Sequence, residues 1–137
     1  MEQNYRLAVV TSVRPSDVVD LYMDAGWWEE GWKEDVIPDM VKGSFRFVGL
    51  FKGNELVGMG RALSDGVSDA YIQDVVVRTD LRGSGWGQKI VARLVEELQA
   101  AGIDWIGLIG APDTNSFYEK LGFCSMPGFT PMKYQAR

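Results

Sequence analysis

The 137-residue chain contains no histidine. That removes Ser-His-Asp and Cys-His nucleophilic catalysis, and with them histidine-ligated metal sites. Any proton transfer must fall to Asp, Glu, Tyr, Lys, Cys or water. A single cysteine, Cys124, excludes an internal disulfide and fits a reducing, cytoplasmic compartment. With no imidazole to activate it, Cys124 reads as a small core residue rather than a nucleophile. No apolar run reaches the roughly 18 residues of a membrane span. Met1-Glu-Gln-Asn-Tyr-Arg6 shows neither the basic nor the apolar region of a signal peptide. Positive charge is also scarce: 14 Lys and Arg against 19 Asp and Glu give a net charge of −5, which argues against a nucleic-acid partner. The acidic excess lies in the first half of the chain, which suits a cationic ligand there or is simply a solvated surface.

What is present describes one ordinary domain over residues 1–137, with 46% hydrophobic and 24% charged residues and no repeat, linker or biased tract. Tyr5–Thr11 alternates as a strand. Ser16 is placed to cap a helix through Val18, Leu21, Tyr22 and Ala25, with Pro15 before it and Gly26 after it. Residues 27–42 form a mixed region broken by Gly31 and Pro38. Phe45–Phe51 and Leu56–Leu63 read as a hairpin, Ser64–Asp69 as a polar turn and Tyr71–Val77 as a buried strand. Gln88–Ala101 carries Ile90, Val91, Leu94 and Leu98 on one helical face and ends at Gly102 with Ile103 as its apolar contact. Trp105–Ile109 reads as a short buried strand, Pro112–Leu121 as a helix, and Phe123–Ser125 and Thr130–Tyr134 as two last strands. The sum is a mixed α+β layer.

The densest signal is Arg82-Gly83-Ser84-Gly85-Trp86-Gly87, set between a strand and a helix. Such a turn aims free N–H groups at an anion, its glycines admit close approach and positive φ, and Arg82 adds a fixed positive fork. A diphosphate is the expected ligand; a glycine-rich turn without a ligand is the alternative. The loop lacks the Gly-Lys-Ser/Thr of a Walker A sequence, and its glycine spacing is wrong for a dinucleotide fingerprint. What fits is Arg-x-x-Gly-x-Gly, met by Arg82, Gly85 and Gly87.

A second segment, Phe117-Tyr-Glu-Lys-Leu-Gly-Phe123, follows about 30 residues later. Together the two motifs resemble the GCN5-related N-acetyltransferase (GNAT) superfamily over residues 45–134. Ala62–Gly66, Ile72–Val77 and Thr130–Tyr134 are similar, more weakly, to the bacterial and plastid branch that includes serotonin-type arylalkylamine N-acetyltransferases. The resemblance implies a central, mostly antiparallel sheet of six to seven strands with about four helices. It also implies acetyl-CoA as co-substrate, no metal, and direct attack by a primary amine. A homodimer is left open.

The resemblance assigns roles residue by residue. The strand Val75-Val76-Val77 would splay from its neighbour and pair with pantetheine. Amides from Gly83 through Ser84, Gly85, Trp86 and Gly87 to Gln88 would cradle the pyrophosphate. Arg78, Lys89 and Arg93 are candidates for the ribose phosphate or are solvated charges. Tyr118 is the candidate general acid for the leaving thiolate, or a core tyrosine. The family asparagine seven residues before it is Ala111 here, and Asn115 is its candidate replacement.

Asp74 is the first choice of base, because aspartate is disfavoured in strands and this one interrupts an apolar run; a buried structural aspartate is the alternative. Glu29, Glu30 and Asp65 stand in reserve. Trp27, Trp28 and Trp32 would wall the acceptor site, with Glu29 or Glu30 meeting the ammonium. A small-molecule amine, an arylalkylamine first, is the favoured acceptor. Protein lysines or N-termini, polyamines, aminoglycosides and a non-catalytic acyl-CoA-binding module remain alternatives.

Overall fold

Side chains alternate across a strand, so each β-segment feeds two cores at once. In the computed structural model, which describes residues 4–135, five strands form one sheet in the order β1 (Tyr5–Val9), β2 (Arg46–Lys52), β3 (Glu55–Ser64), β4 (Asp69–Val77) and β5 (Trp105–Gly107). The first three pairings are antiparallel, and β4–β5 is parallel. Val48, Leu50, Val57, Ala62, Ile72 and Val77 cluster with Ile90, Val91, Leu94 and Leu98 of α3 (Trp86–Ala100). Phe47, Phe51, Leu56, Met59 and Val76 cluster with α1 (Pro15–Asp24) and α2 (Ile37–Gly43). A short α4 (Asn115–Glu119) follows β5, and its Phe117 and Tyr118 pack on the α3 core. Small residues set the spacing: a Cβ on Gly60 would stand 2.8 Å from Ile90 Cγ2 and 3.0 Å from Leu94 Cδ1.

The helices α1, α3 and α4 leave their last turns identically. Gly26, Gly102 and Gly122 take positive φ. The next residue's N–H returns to the helix: Trp27 to Tyr22 O, Ile103 to Leu98 O and Phe123 to Tyr118 O, at 2.8, 3.0 and 3.1 Å. This is the Schellman exit, and it lays an apolar residue on the last helical turn. In α1 it brings Trp27 edge-on to Tyr22, with centroids 5.6 Å apart. In α4 it brings Phe123 onto Tyr118 at 5.9 Å. Gly102 and Ile103 behave as the sequence predicts.

Several expectations are corrected. The sheet has five strands among the described residues, not six to seven: Phe123–Ser125 and Thr130–Tyr134 form no strand. Phe129 N–H donates to Met126 O across Pro127 and Gly128 (φ +84), a turn of the kind that splays its arms, and Pro131 has no N–H for a ladder. Strand β5 stops at Gly107, and Ile109 is exposed rather than buried. Helix α4 starts at Asn115, not Pro112, because Asp113 sits at φ +65. Helix α3 starts two residues before Gln88, and Arg14, not Ser16, precedes α1, whose first residue is Pro15. Cys124 is exposed, not a core residue.

The β3–β4 turn is held by Asp65, whose Oδ1 accepts from the Val67 and Ser68 amides at 2.8 Å each. Those bonds, the Ser68 amide first, lower its carboxyl to about 2. A depressed folded value means that the contribution is complete above the ordinary carboxylate range near 3.8 and is lost as pH falls through about 2. Asp65→Asn is therefore expected to melt below wild type by a constant margin above pH 5, with the gap narrowing below pH 4. A gap independent of pH in calorimetric melts would refute this.

Candidate active site

Strand β4 changes parity in its middle. Ala70 and Ile72 belong to the α3 core, and after Gln73 and Asp74 it is Val75 and Val77 that pack there. The β3–β4 register shifts at the same place, leaving Gly60 opposite the extra residue. That bulge puts Asp74 at φ +55, a conformation that Asp and Asn tolerate better than other side chains. Two consecutive residues, Gln73 and Asp74, consequently meet Arg61 on the α1 and α2 side. Arg61 Nε donates to Asp74 Oδ2 at 2.7 Å, and Nη2 lies 3.4 Å from Gln73 Oε1. The Tyr22 hydroxyl donates to the same Oδ2 at 3.0 Å. Burial first, and then the Asp74 charge, raises the Tyr22 phenol far above its ordinary range, so it stays protonated.

These residues floor a groove of about 740 Å³ walled by Trp27, Trp28, Trp32, Ile37 and Met40, with Lys33 also on its lining. The aromatics form a chain: Tyr22–Trp28 centroids are 6.5 Å apart, and Trp28–Trp32 are 5.5 Å apart and nearly perpendicular. The three predicted tryptophans and Asp74 are thus brought together. Glu29 is not among the lining residues; it and Glu30 are exposed. Asp65 is committed to its turn. The sequence alone does not single out Tyr22 or Arg61. A tyrosine at helical spacing among Val18 and Leu21 looks like core, and an arginine in β3 gains meaning only from the bulge opposite it.

On the other side of β4 the sheet opens. Pairing with β5 ends at Tyr71–Gly107, whereas β4 runs on to Val77. Arg78 N–H donates to Val57 O. By strand alternation the backbone of Val77 faces the opened edge. The Val77 carbonyl there already accepts from Arg82 Nε at 3.2 Å. A second cavity, about 510 Å³, lies beyond β5 and is lined by Tyr71, Leu108, Asn115, Tyr118 and Cys124 among others. The Tyr118 hydroxyl bonds to no other described residue, and burial raises its phenol above the ordinary value. Asn115 does share this cavity with Tyr118. Asp74 and Tyr118 line different cavities.

The glycine loop begins α3 as the sequence predicts. Gly83 and Gly85 take φ of +82 and +89, with open space where a Cβ would stand. The first helical bond is Lys89 N–H to Gly85 O, and no side chain caps the helix. The amides of Trp86, Gly87 and Gln88 therefore lack intrahelical acceptors. Gly87 is small because Phe117 of α4 would stand 3.3 Å from a Cβ there. The Ser84 hydroxyl turns back to Leu81 O. Lys89 Nζ sits 4.5 Å above the Trp86 ring, whose other neighbour is Tyr5. Arg78 is bonded to Asp80 and Glu55, and Arg93 to Glu97, so Lys89 is the one of the three candidate cations with no carboxylate partner among the described residues. Open amides, an opened strand edge and a proton-bearing phenol fit a diphosphate with an extended arm and a reactive end.

Gly85→Ala puts a side chain at φ +89 without a clash, so it costs conformational strain alone, about 1 kcal/mol. A drop of a few degrees in melting temperature, larger with a pyrophosphate-bearing ligand present, is the expected result. An unchanged melt in both conditions would exclude the role.

A sequence profile of the Acetyltransferase (GNAT) family matches residues 14–123. Over 106 residues the chain is 38% identical to the "Uncharacterized N-acetyltransferase ycf52" of Porphyra purpurea, covering 74% of this chain and 60% of that protein. It is 39% identical over 71 residues to "Serotonin N-acetyltransferase 2, chloroplastic" of Oryza sativa subsp. japonica, covering 52% and 36%. The chain spans from about two fifths to about two thirds of the length of the ycf52 proteins it matches. Among solved structures, a Staphylococcus aureus protein of unknown function described as a probable acetyltransferase superposes with a TM-score of 0.83 at 19% identity, covering 98% of this chain and 100% of that one.

Proposed function

Because the chain belongs to the GNAT family of acetyltransferases, we propose that it transfers acetyl from acetyl-CoA to the primary amine of a small molecule carrying an aromatic or apolar group. The observation that carries this reading is the meeting of two openings at one strand. The unpaired edge of β4 runs toward the bare amides of α3, and the aromatic groove reaches the same strand from the opposite face at Asp74.

Bound acetyl-CoA supplies a thioester that is open to attack by an amine. The chain does the rest. Trp86, Gly87 and Gln88 amides and Arg82 hold negative charge. The β4 edge offers backbone donors and acceptors to an extended arm. Trp27, Trp28 and Trp32 bury the apolar part of the amine. An alkylamine is neutral in only about one molecule in 2,500 at pH 7, so Asp74 takes a proton from nitrogen. Tyr118, kept protonated by burial, holds the proton that the departing sulfur requires.

The test is CoA release with tryptamine, phenethylamine, spermidine, an aminoglycoside and a lysine peptide. Product is read by chromatography, because the exposed Cys124 thiol reacts with thiol dyes. Turnover confined to the aromatic amines is expected. Turnover of the peptide or spermidine alone would move the acceptor away from the groove's aromatic wall.

A further inference from the structure

The clamp on Asp74 is asymmetric. Arg61 Nε and the Tyr22 hydroxyl, from β3 and α1, both bond Oδ2. Oδ1 has no partner, and among the described residues no buried side-chain oxygen or nitrogen lacks one. Oδ1 is therefore open, and Asp74 lines the groove. The clamp is anchored in turn: Arg61 is 14% exposed and its Nη1 lies 3.4 Å from Ser44 Oγ. Met40 Sδ lies 3.5 Å from the Tyr22 hydroxyl. The bulge supplies the rest, since it turns Asp74 toward Arg61 and away from α3.

The geometry points to Tyr22 and Arg61 as positioning residues, which saturate one oxygen of Asp74 and present the other, Oδ1, as the single atom that receives the amine's proton. This rests on the proposed acetyl transfer. In the step an N–H bond of the ammonium breaks and an O–H bond forms at Oδ1. The nitrogen keeps the electron pair, and Asp74 becomes neutral until it releases the proton to solvent. Neither Tyr22 nor Arg61 gives up or gains a proton. Two bonds on Oδ2 disfavour the rotation that would swap the oxygens. The amine thus meets one atom in one place, which is the orientation term of the rate.

A double-mutant cycle with the full chain and the best amine of the panel tests this. Asp74→Asn keeps the shape and tolerates positive φ, and is expected to lower kcat about 100-fold. Tyr22→Phe is expected to lower kcat about tenfold with amine affinity by calorimetry unchanged, and to lower the melting temperature only by the few degrees that one bond to a charged group is worth. Arg61→Gln should do at least as much, and Arg61→Lys should recover part of it. The decisive readout is coupling: in the Asp74→Asn background Tyr22→Phe should cost nothing further. Additive losses would make Tyr22 merely structural and overturn the inference, while leaving acetyl transfer intact. Should Asp74→Asn be too slow to cycle, Tyr22→Phe decides by itself: a fall in kcat with amine affinity unchanged supports the clamp, and a fall in affinity or melting with kcat unchanged overturns it. Full activity in Asp74→Asn would remove the base and the clamp together. No turnover with any amine would remove acetyl transfer and this inference with it.

Discussion

Tyr118→Phe is expected to lower kcat by about 100-fold while coenzyme binding persists, the scale of one positioned general acid. The substitution removes a single oxygen. Packing is preserved, since the ring keeps its neighbours Phe117 and Phe123 at 4.9 and 5.9 Å. The hydroxyl bonds to no other described residue, so no partner is stranded by its loss. Because burial raises the phenol above its ordinary value of 10.0, it keeps its proton through the neutral range. Wild type should accordingly show no alkaline loss of kcat below about pH 10 from this group. Rapid-mixing measurement of the chemical step and equilibrium titration with CoA separate the effects. A variant with undiminished kcat would make Tyr118 a core tyrosine, the reading its helical spacing also allows. A variant that loses CoA affinity in proportion to kcat would make it a binding residue.

Gly60→Val is expected to destabilise the fold by roughly 3 kcal/mol, or about 10 °C in melting temperature. The first carbon alone would stand 2.8 Å from Ile90 Cγ2, 3.0 Å from Leu94 Cδ1 and 3.4 Å from Val75 Cγ2. Ile90 and Leu94 are fully buried, and Ile90 is β-branched on a helix, so its Cγ2 has little room to retreat. The helix must rise from the sheet. Gly60 also lies opposite the β4 bulge, so the damage extends to Asp74. Loss of amine turnover should exceed the loss expected from the unfolded fraction. Chemical denaturation measured beside activity on the folded fraction checks this; a fall in stability with normal specific activity would uncouple the two.

How much was legible follows from the range of each interaction. The glycine loop and its helix, the hairpin, the buried β4 run and the Gly102–Ile103 exit are local, and local chemistry specifies them. Gly85 at φ +89 and Ile103 returning to Leu98 are consequences of residues within a few positions of each other. The tail misled for the same reason. Phe129, Met132 and Tyr134 have the composition of a strand, but Thr130–Tyr134 needs a partner edge, and the turn at Pro127-Gly128 does not aim it at one. Residue type places Cys124 in the core, whereas the geometry after Gly122 leaves it exposed.

By itself, then, the sequence determined the chemistry available: no imidazole, a glycine-rich turn opening a helix, a tyrosine after it and an aspartate in an apolar strand. Tertiary structure decided which of these groups can meet. Tyr22, Arg61 and Asp74 are separated by up to 52 positions, and they converge only because one extra residue in β4 reverses its parity and turns the carboxylate toward α1. Glu29, two residues from Trp27, is exposed and is not among the residues lining that groove. The reason is physical. Spacing along a chain sets the face a side chain takes within its own element, but packing between elements sets what stands opposite that face, and a single bulge reassigns it.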